Sequence, residues 1–111
     1  SEVNLIVEAG KRLSEAGVAV RLVSFPSWEL FVEQDVVYRE SVLAPDMELR
    51  LAVEAGVSMG WQRWVGDKGR VLGLDRYGAS APGNEVFRKM GFTVENIQHI
   101  AMQMIEKDSL P

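Results

Sequence analysis

Hydrophobic residues follow two different spacings along this chain, and together they predict an α/β protein. Residues 18–24 form a nearly continuous apolar run rich in β-branched side chains, which predicts a strand covered on both faces. A helix is predicted before it, with Ser1 as its cap and Gly17 as its end. Its apolar positions recur at helical spacing: Val3, Ile6, Val7, Leu13 and Ala16.

The middle of the chain predicts short elements. Ser27 and Asp35 can each cap a short helix, the first carrying Trp28, Leu30 and Phe31. Apolar residues at alternate and adjacent positions predict a second strand over 48–54. A helix over 58–65 and a third strand over 70–74 follow.

The last helix has the clearest local start. Thr93 is a suitable N-cap, and Phe92 and Ile97 occupy the two positions of a hydrophobic staple. Gly91 is expected to end the preceding helix, which begins near Asn84. The predicted inward face of the last helix is Val94, Ile97, Ala101, Met104 and Ile105.

The order of these elements predicts a three-layer αβα sandwich around a mainly parallel sheet. Helical crossovers between strands require parallel pairing, so 18–24, 48–54 and 70–74 should be parallel neighbours. A helix that feeds a parallel strand implies another strand before it. We therefore expect residues 1–111 to form a single domain that lacks its first strand.

Composition narrows the class of protein. The chain has 111 residues, a 47% hydrophobic share and a net charge of -4, which gives no reason to expect nucleic acid or a membrane as a partner. It contains no cysteine and one histidine, and no stretch resembles a signal peptide. These features are compatible with a cytoplasmic protein that has few catalytic groups.

The loop between the third strand and the next helix is the main candidate for ligand binding. Gly78 and Gly83 allow positive φ, and with Ser80 they could present backbone N–H groups to an anion. The loop lacks the residue pattern of a phosphate-binding loop. A tight strand-to-helix connection is the alternative interpretation.

Several motifs, in order along almost the whole chain, resemble the C-terminal domain of transketolase. The stretches that carry the resemblance are Pro-Ser-Trp-Glu-Leu-Phe at 26–31, Tyr-Arg-Glu-Ser-Val-Leu at 38–43, Val-Glu-Ala-Gly at 53–56, Gly-Trp at 60–61, Asp-Arg-Tyr-Gly-Ala-Ser-Ala-Pro at 75–82 and Gly-Phe-Thr-Val-Glu-Asn at 91–96.

The resemblance implies a homodimeric enzyme that transfers a two-carbon ketol unit between sugar phosphates. Other domains of the same chain would hold thiamine diphosphate and a divalent cation, magnesium or calcium. It also implies that this segment supports the dimer structurally and carries no catalytic, cofactor-binding or metal-binding residue. An independent small module that binds anions through Gly78–Gly83 is the alternative.

Candidate side chains each have two interpretations. Arg39 could clamp a phosphate group, or it could pair structurally with a nearby carboxylate. Glu54 and Asp75 follow predicted strands at one sheet edge, where they could act together in acid/base chemistry or cap loops. Trp61 and Trp64 could stack on a ligand or form a core or interface. His99 has no sequence-adjacent partner and is predicted to be structural.

Overall fold

The computed structural model describes residues 2–56, 58–73 and 88–110. Helix α1 spans Glu2–Glu15, and the two short helices α2 and α3 span Trp28–Val32 and Val36–Val42. The elements that follow are β1 at Leu51–Glu54, α4 at Gln62–Val65, β2 at Arg70–Gly73 and α5 at Val94–Asp108.

The two described strands are parallel neighbours, as predicted. Leu51 lies opposite Arg70 and Glu54 opposite Gly73, and α4 lies in the connection between the strands. Strand β1 is shorter than the predicted 48–54. The guanidinium of Arg50 donates to the Met47 and Ala44 carbonyls, which holds the backbone before β1 in a turn.

The prediction of a strand over 18–24 is wrong. These residues have no regular secondary structure, and within the described residues β1 pairs only with β2. Val20 and Leu22 are 38% and 47% exposed. A β-branched run forms a strand only where a neighbouring backbone completes its hydrogen bonds, so propensity alone was insufficient.

A mainly aliphatic core, which also contains Phe92, lies where α1 packs on α5 and the sheet. Its buried side chains are Ala9, Leu13, Ala52, Phe92, Ile97, Ile100 and Met104. The predicted staple residues are thus both buried, and Thr93 caps α5 by accepting from the Asn96 N–H at 3.0 Å. Arg12 joins α1 to this helix through the Glu95 carboxylate at 2.9 Å.

Each of the two long helices buries one face, and the predicted inward face of α5 needs correction. Val3 and Val7 of α1 are exposed, whereas its buried face includes Ala9, Gly10 and Leu13. A Cβ at Gly10 would lie 2.9 Å from a methyl group of Leu22, so the absent side chain lets residues 18–24 approach α1. In α5 the buried residues are Ile97, Ile100 and Met104.

The short helices begin where their caps predict. Ser27 Oγ accepts from the Leu30 N–H at 3.2 Å, and Asp35 Oδ1 accepts from the Tyr38 N–H at 2.8 Å. Helix α4 starts later than the predicted residue 58. Gly60, with φ of +88°, has a backbone conformation that a right-handed helix does not contain.

Candidate functional site

A cavity of about 350 Å³ lies between α2, α3, α4 and the turn before β1. Its lining combines four apolar side chains with two arginines and one glutamate. The lining residues are Phe31, Val36, Arg39, Glu40, Leu43, Arg50 and Trp64. Candidate binding sites in proteins are typically concave and mainly apolar, with a few polar groups.

Five aromatic rings form one cluster beside this cavity, and two of them, Phe31 and Trp64, line it. Phe31 is only 9% exposed, and its ring meets Trp64 edge-on at 5.5 Å and Phe25 at 4.7 Å. Trp28 and Trp61 extend the cluster, with their centroids 5.2 Å apart. Such edge-on pairs add about 0.5–1.5 kcal/mol each beyond the burial of their surface. The cluster therefore fixes the ring of Trp64 beside the cavity.

Arg50 also lines the cavity and connects three backbone segments around it. Its Nε donates to the Met47 carbonyl at 2.9 Å, and its two Nη atoms donate to the carbonyls of Trp64 at 2.8 Å and Ala44 at 2.9 Å. One guanidinium thus joins the backbone of α4 to the turn before β1. The positive charge of this guanidinium is therefore hydrogen-bonded to three backbone carbonyl groups of the same chain.

Two hydrogen-bond donors at the cavity lack acceptors. Arg39 Nε and Trp64 Nε1 are both shielded from solvent and have no partner within the described residues. None of the described ion pairs joins Arg39 to a carboxylate, including Glu40 in the same cavity. A buried donor without an acceptor costs about 1–3 kcal/mol. Both unpaired donors therefore lie within the packed side chains around the cavity.

The structure brings together two of the predicted site residues, Arg39 and Trp64. Trp61 belongs to the aromatic cluster, where it contacts Phe25 and Trp28. Glu54 ends β1 and is half-buried, and His99 is exposed on α5. The hypotheses for these side chains stay predictions.

The predicted loop site lies outside the described residues. Gly78, Ser80 and Gly83 belong to it, as does Asp75, the suggested partner of Glu54. Across 2–56, 58–73 and 88–110, no three His, Asp or Glu side chains are grouped as metal ligands would be. None of the helices in these ranges is long and apolar enough to cross a membrane.

Sequence reasoning missed Arg50, the residue with the most side-chain hydrogen bonds in this region. It lies inside the segment predicted as a strand, where an arginine looks like an outward-facing residue. The Ala-Pro-Asp turn at 44–46 was the available signal. A charged side chain close to a tight turn can donate to the carbonyl groups that the turn leaves free.

Two parallel strands joined through a helix, with helices packed against them, define a three-layer α/β domain. Comparison with known proteins is more specific. Residues 1–93 match the family model described as "Transketolase-like TK C-terminal domain". The chain belongs to this family of transketolase C-terminal domains.

Individual relatives agree with this assignment. The chain is 48% identical over 97 residues to a transketolase of Staphylococcus epidermidis, covering 87% of this chain and 15% of that protein. It is 47% identical over 97 residues to a transketolase of Geobacillus stearothermophilus, covering 87% of this chain and 14% of that protein. A chloroplastic transketolase of Solanum tuberosum is 43% identical over 104 residues, which cover 94% of this chain and 14% of that protein.

The fold gives the same answer. The solved structure of a transketolase from Leishmania mexicana matches with a TM-score of 0.82 and 37% identity, over 96% of this chain and 15% of that one. The chain therefore spans about 15% of the length of the transketolases it matches.

Proposed function

We propose that this chain is the C-terminal domain of a transketolase, an enzyme that transfers a two-carbon ketol unit between sugar phosphates. The observation that carries the proposal is the family match over residues 1–93, in a chain that spans about 15% of its relatives' length. In this proposal the remaining domains of the same polypeptide supply thiamine diphosphate, a divalent cation and the catalytic side chains.

The role of this domain in the proposal is to form interfaces within a homodimeric enzyme. Its surface supports that role, because large apolar side chains are exposed on α2 and α3. Leu30 and Val37 are 63% and 81% exposed, and Val32, Val36 and Tyr38 are also exposed. Apolar side chains concentrated on neighbouring elements are typical of surfaces that contact other protein.

The described residues do not fit a thiamine diphosphate site. A divalent cation that holds a diphosphate takes several oxygen ligands, and the described part of the chain offers no group of three carboxylate or imidazole side chains. We therefore propose no catalytic, cofactor-binding or metal-binding role for these residues. A cytoplasmic location stays a prediction, since some relatives are chloroplastic.

A domain exchange tests the proposal. We would replace the matching segment of the Geobacillus stearothermophilus transketolase, which is 47% identical, with residues 1–111 of this chain. Ketol transfer and molecular mass would be measured for this chimera, for the parent enzyme and for a version that lacks the segment. We expect the chimera to be an active dimer, and the shortened version to lose dimer stability and activity.

Calorimetry completes the test. Residues 1–111 alone, titrated with thiamine diphosphate and magnesium, should give no saturable heat. Two outcomes would contradict the proposal: specific cofactor binding by this chain alone, or a well-folded chimera without transketolase activity.

A further inference from the structure

We propose that the short helices α2 and α3 dock on another domain of the same polypeptide, against an apolar patch that lysine or arginine side chains border. Five large apolar side chains are exposed within nine consecutive residues, 30–38. They are called the α2–α3 surface below and consist of Leu30, Val32, Val36, Val37 and Tyr38. This choice of partner depends on the proposed function, in which the other domains belong to the same chain.

The two helices present this surface side by side. The ring centroids of Phe31 and Tyr38 lie 6.3 Å apart, and Phe31 and Val36 line the same cavity of about 350 Å³. Exposed valines also occur on α1, but there they are a pair, Val3 and Val7, one helical turn apart. The α2–α3 surface is denser and borders an open recess, into which an apolar side chain of a partner could insert.

Carboxylates border the α2–α3 surface and indicate the charge of its partner. Residues 28–43 contain one cation, the half-buried Arg39, and four exposed acidic side chains, which give this stretch a charge of -3: Glu29, Glu33, Asp35 and Glu40. Arg21 lies at the last turn of α3, where it donates to the Ser41 carbonyl. Two copies of this surface would bring like charges together, which is unfavourable. A partner patch bordered by lysine or arginine is complementary.

The mixture of apolar and charged groups favours a domain of the same chain over the partner subunit. Obligate subunit interfaces are rich in apolar side chains and depleted of charged ones at their core, whereas interfaces between domains of one chain are more polar. The chain spans about 15% of the length of the transketolases it matches, so the proposed enzyme has most of its residues in other domains. A domain tethered to the same chain also has a high effective concentration at this surface.

Cysteine labelling of the domain-exchange chimera tests whether the surface is covered. The chain contains no cysteine, so Val37→Cys introduces one thiol at an exposed position of the surface. A maleimide should label it at least about tenfold more slowly in the folded chimera than in the denatured chimera, because docking shields it. Val7→Cys, at an exposed valine of α1, is the matched control and should be labelled at nearly the denatured rate. Mass spectrometry of the labelled peptide distinguishes each thiol from cysteines of the relative's domains.

Charge reversal tests the chemistry of the partner. Glu33→Lys should speed the labelling of Val37→Cys in the chimera by about threefold to tenfold, because it replaces attraction to a basic border with repulsion. Glu33→Gln should have an intermediate effect. Glu106→Lys is the matched control, since Glu106 is exposed on α5 and belongs to none of the described ion pairs. High salt should narrow the difference between Glu33 and its lysine variant, because it screens both attraction and repulsion.

Three results would overturn the proposal. Fast labelling of Val37→Cys in an active, dimeric chimera would do so and would leave the proposed function intact. Protection of Val37→Cys that disappears when the dimer is diluted into monomers would assign the surface to the partner subunit. Equal labelling rates with Glu33 and Glu33→Lys would show that the border of the partner patch is not basic. A folded chimera that protects Val37→Cys but is inactive would contradict the proposed function alone.

Discussion

The two halves of this domain are built in different ways. Helices α1 and α5 pack with the sheet around buried aliphatic side chains, such as Ile97 at 4% and Met104 at 7% exposure. The half made by α2, α3 and α4 contains half-buried aromatic rings, unpaired donors and exposed aliphatic side chains. The difference lies in what is buried, because exposed apolar side chains occur in both halves: Val3 and Val7 on α1 are 52% and 53% exposed, and Leu30 and Val37 on α2 and α3 are 63% and 81% exposed.

The aromatic half nevertheless has one well-buried anchor, Phe31. Phe31→Ala should lower the free energy of unfolding by about 3–5 kcal/mol, because it leaves a void among Phe25, Trp64 and the cavity wall. Chemical denaturation measures this change. Leu30→Ala, at the neighbouring exposed position of the same helix, is the control and should stay within about 0.5 kcal/mol. Equal costs for both would show that α2 does not pack as described.

Substitutions of Arg50 and Arg63 compare two kinds of contact in the aromatic half: hydrogen bonds to backbone carbonyl groups, and a cation stacked on an aromatic ring. Arg50→Met keeps the length of the side chain but removes its donors to the Ala44, Met47 and Trp64 carbonyls. We expect a loss of about 1.5–3 kcal/mol in unfolding free energy. Arg63→Met, which removes only a cation stacked on Trp64, should cost about 0.5–1 kcal/mol. If Arg63→Met were the more damaging change, the cation stacked on Trp64 would contribute more to stability than the hydrogen bonds of Arg50.

Elements defined by local chemistry could be predicted from the sequence. Thr93, Ser27 and Asp35 cap their helices as expected, because a cap depends on a few consecutive residues. The parallel pairing of β1 with β2 also followed from element order. The segment 18–24 could not be predicted, since a strand depends on a backbone partner that composition does not reveal.

The candidate site shows the same limit. The sequence singled out Arg39 and Trp64 separately, 25 residues apart by their numbers, and nothing local indicated that they line one cavity. Arg50 was missed because its three acceptors come from Ala44, Met47 and Trp64, which only the folded chain brings together. Burial of the Arg39 Nε atom is likewise a property of packing.

Substitutions at one helix cap in each half should have smaller effects on the free energy of unfolding. Thr93→Ala should cost about 1 kcal/mol, because α5 is long and its cap accepts from Asn96 at 3.0 Å. Ser27→Ala should cost less, about 0.5 kcal/mol, since α2 has five residues and its cap bond is 3.2 Å. Denaturation of both variants, with Thr93→Ser as the conservative control, would test this order. A larger cost for Ser27→Ala than for Thr93→Ala would mean that the cap of α2 contributes more to stability than the cap of α5.

The smallest expected effect concerns Lys68, which joins the turn before β2 to two other segments. Its Nζ lies 3.0 Å from a Glu48 oxygen and 3.1 Å from an Asp108 oxygen. The hydrogen bond to Glu48, and then that to Asp108, raises the pKa of Lys68 above its ordinary value. A raised folded-state pKa stabilises the fold fully below the unfolded-state pKa of about 10.4, and the contribution is lost as pH rises through the folded-state pKa. Because the side chain is exposed, salt should also weaken the contribution.

Lys68→Gln isolates this contribution from other groups that titrate at alkaline pH. At low salt and pH 7 the parent chain should melt slightly above the variant, and the gap should close as pH rises past the unfolded-state pKa of about 10.4 and through the raised folded-state pKa. Adding 1 M salt at pH 7 should close it as well, with the Debye length then about 3 Å. Glu48→Gln and Asp108→Asn should each remove part of the advantage, since both carboxylates raise the pKa of Lys68. A gap that persists after Lys68 has lost its proton, and in high salt, would mean that Lys68 acts through the packing of its hydrocarbon chain, and that its charge has no measurable effect on stability.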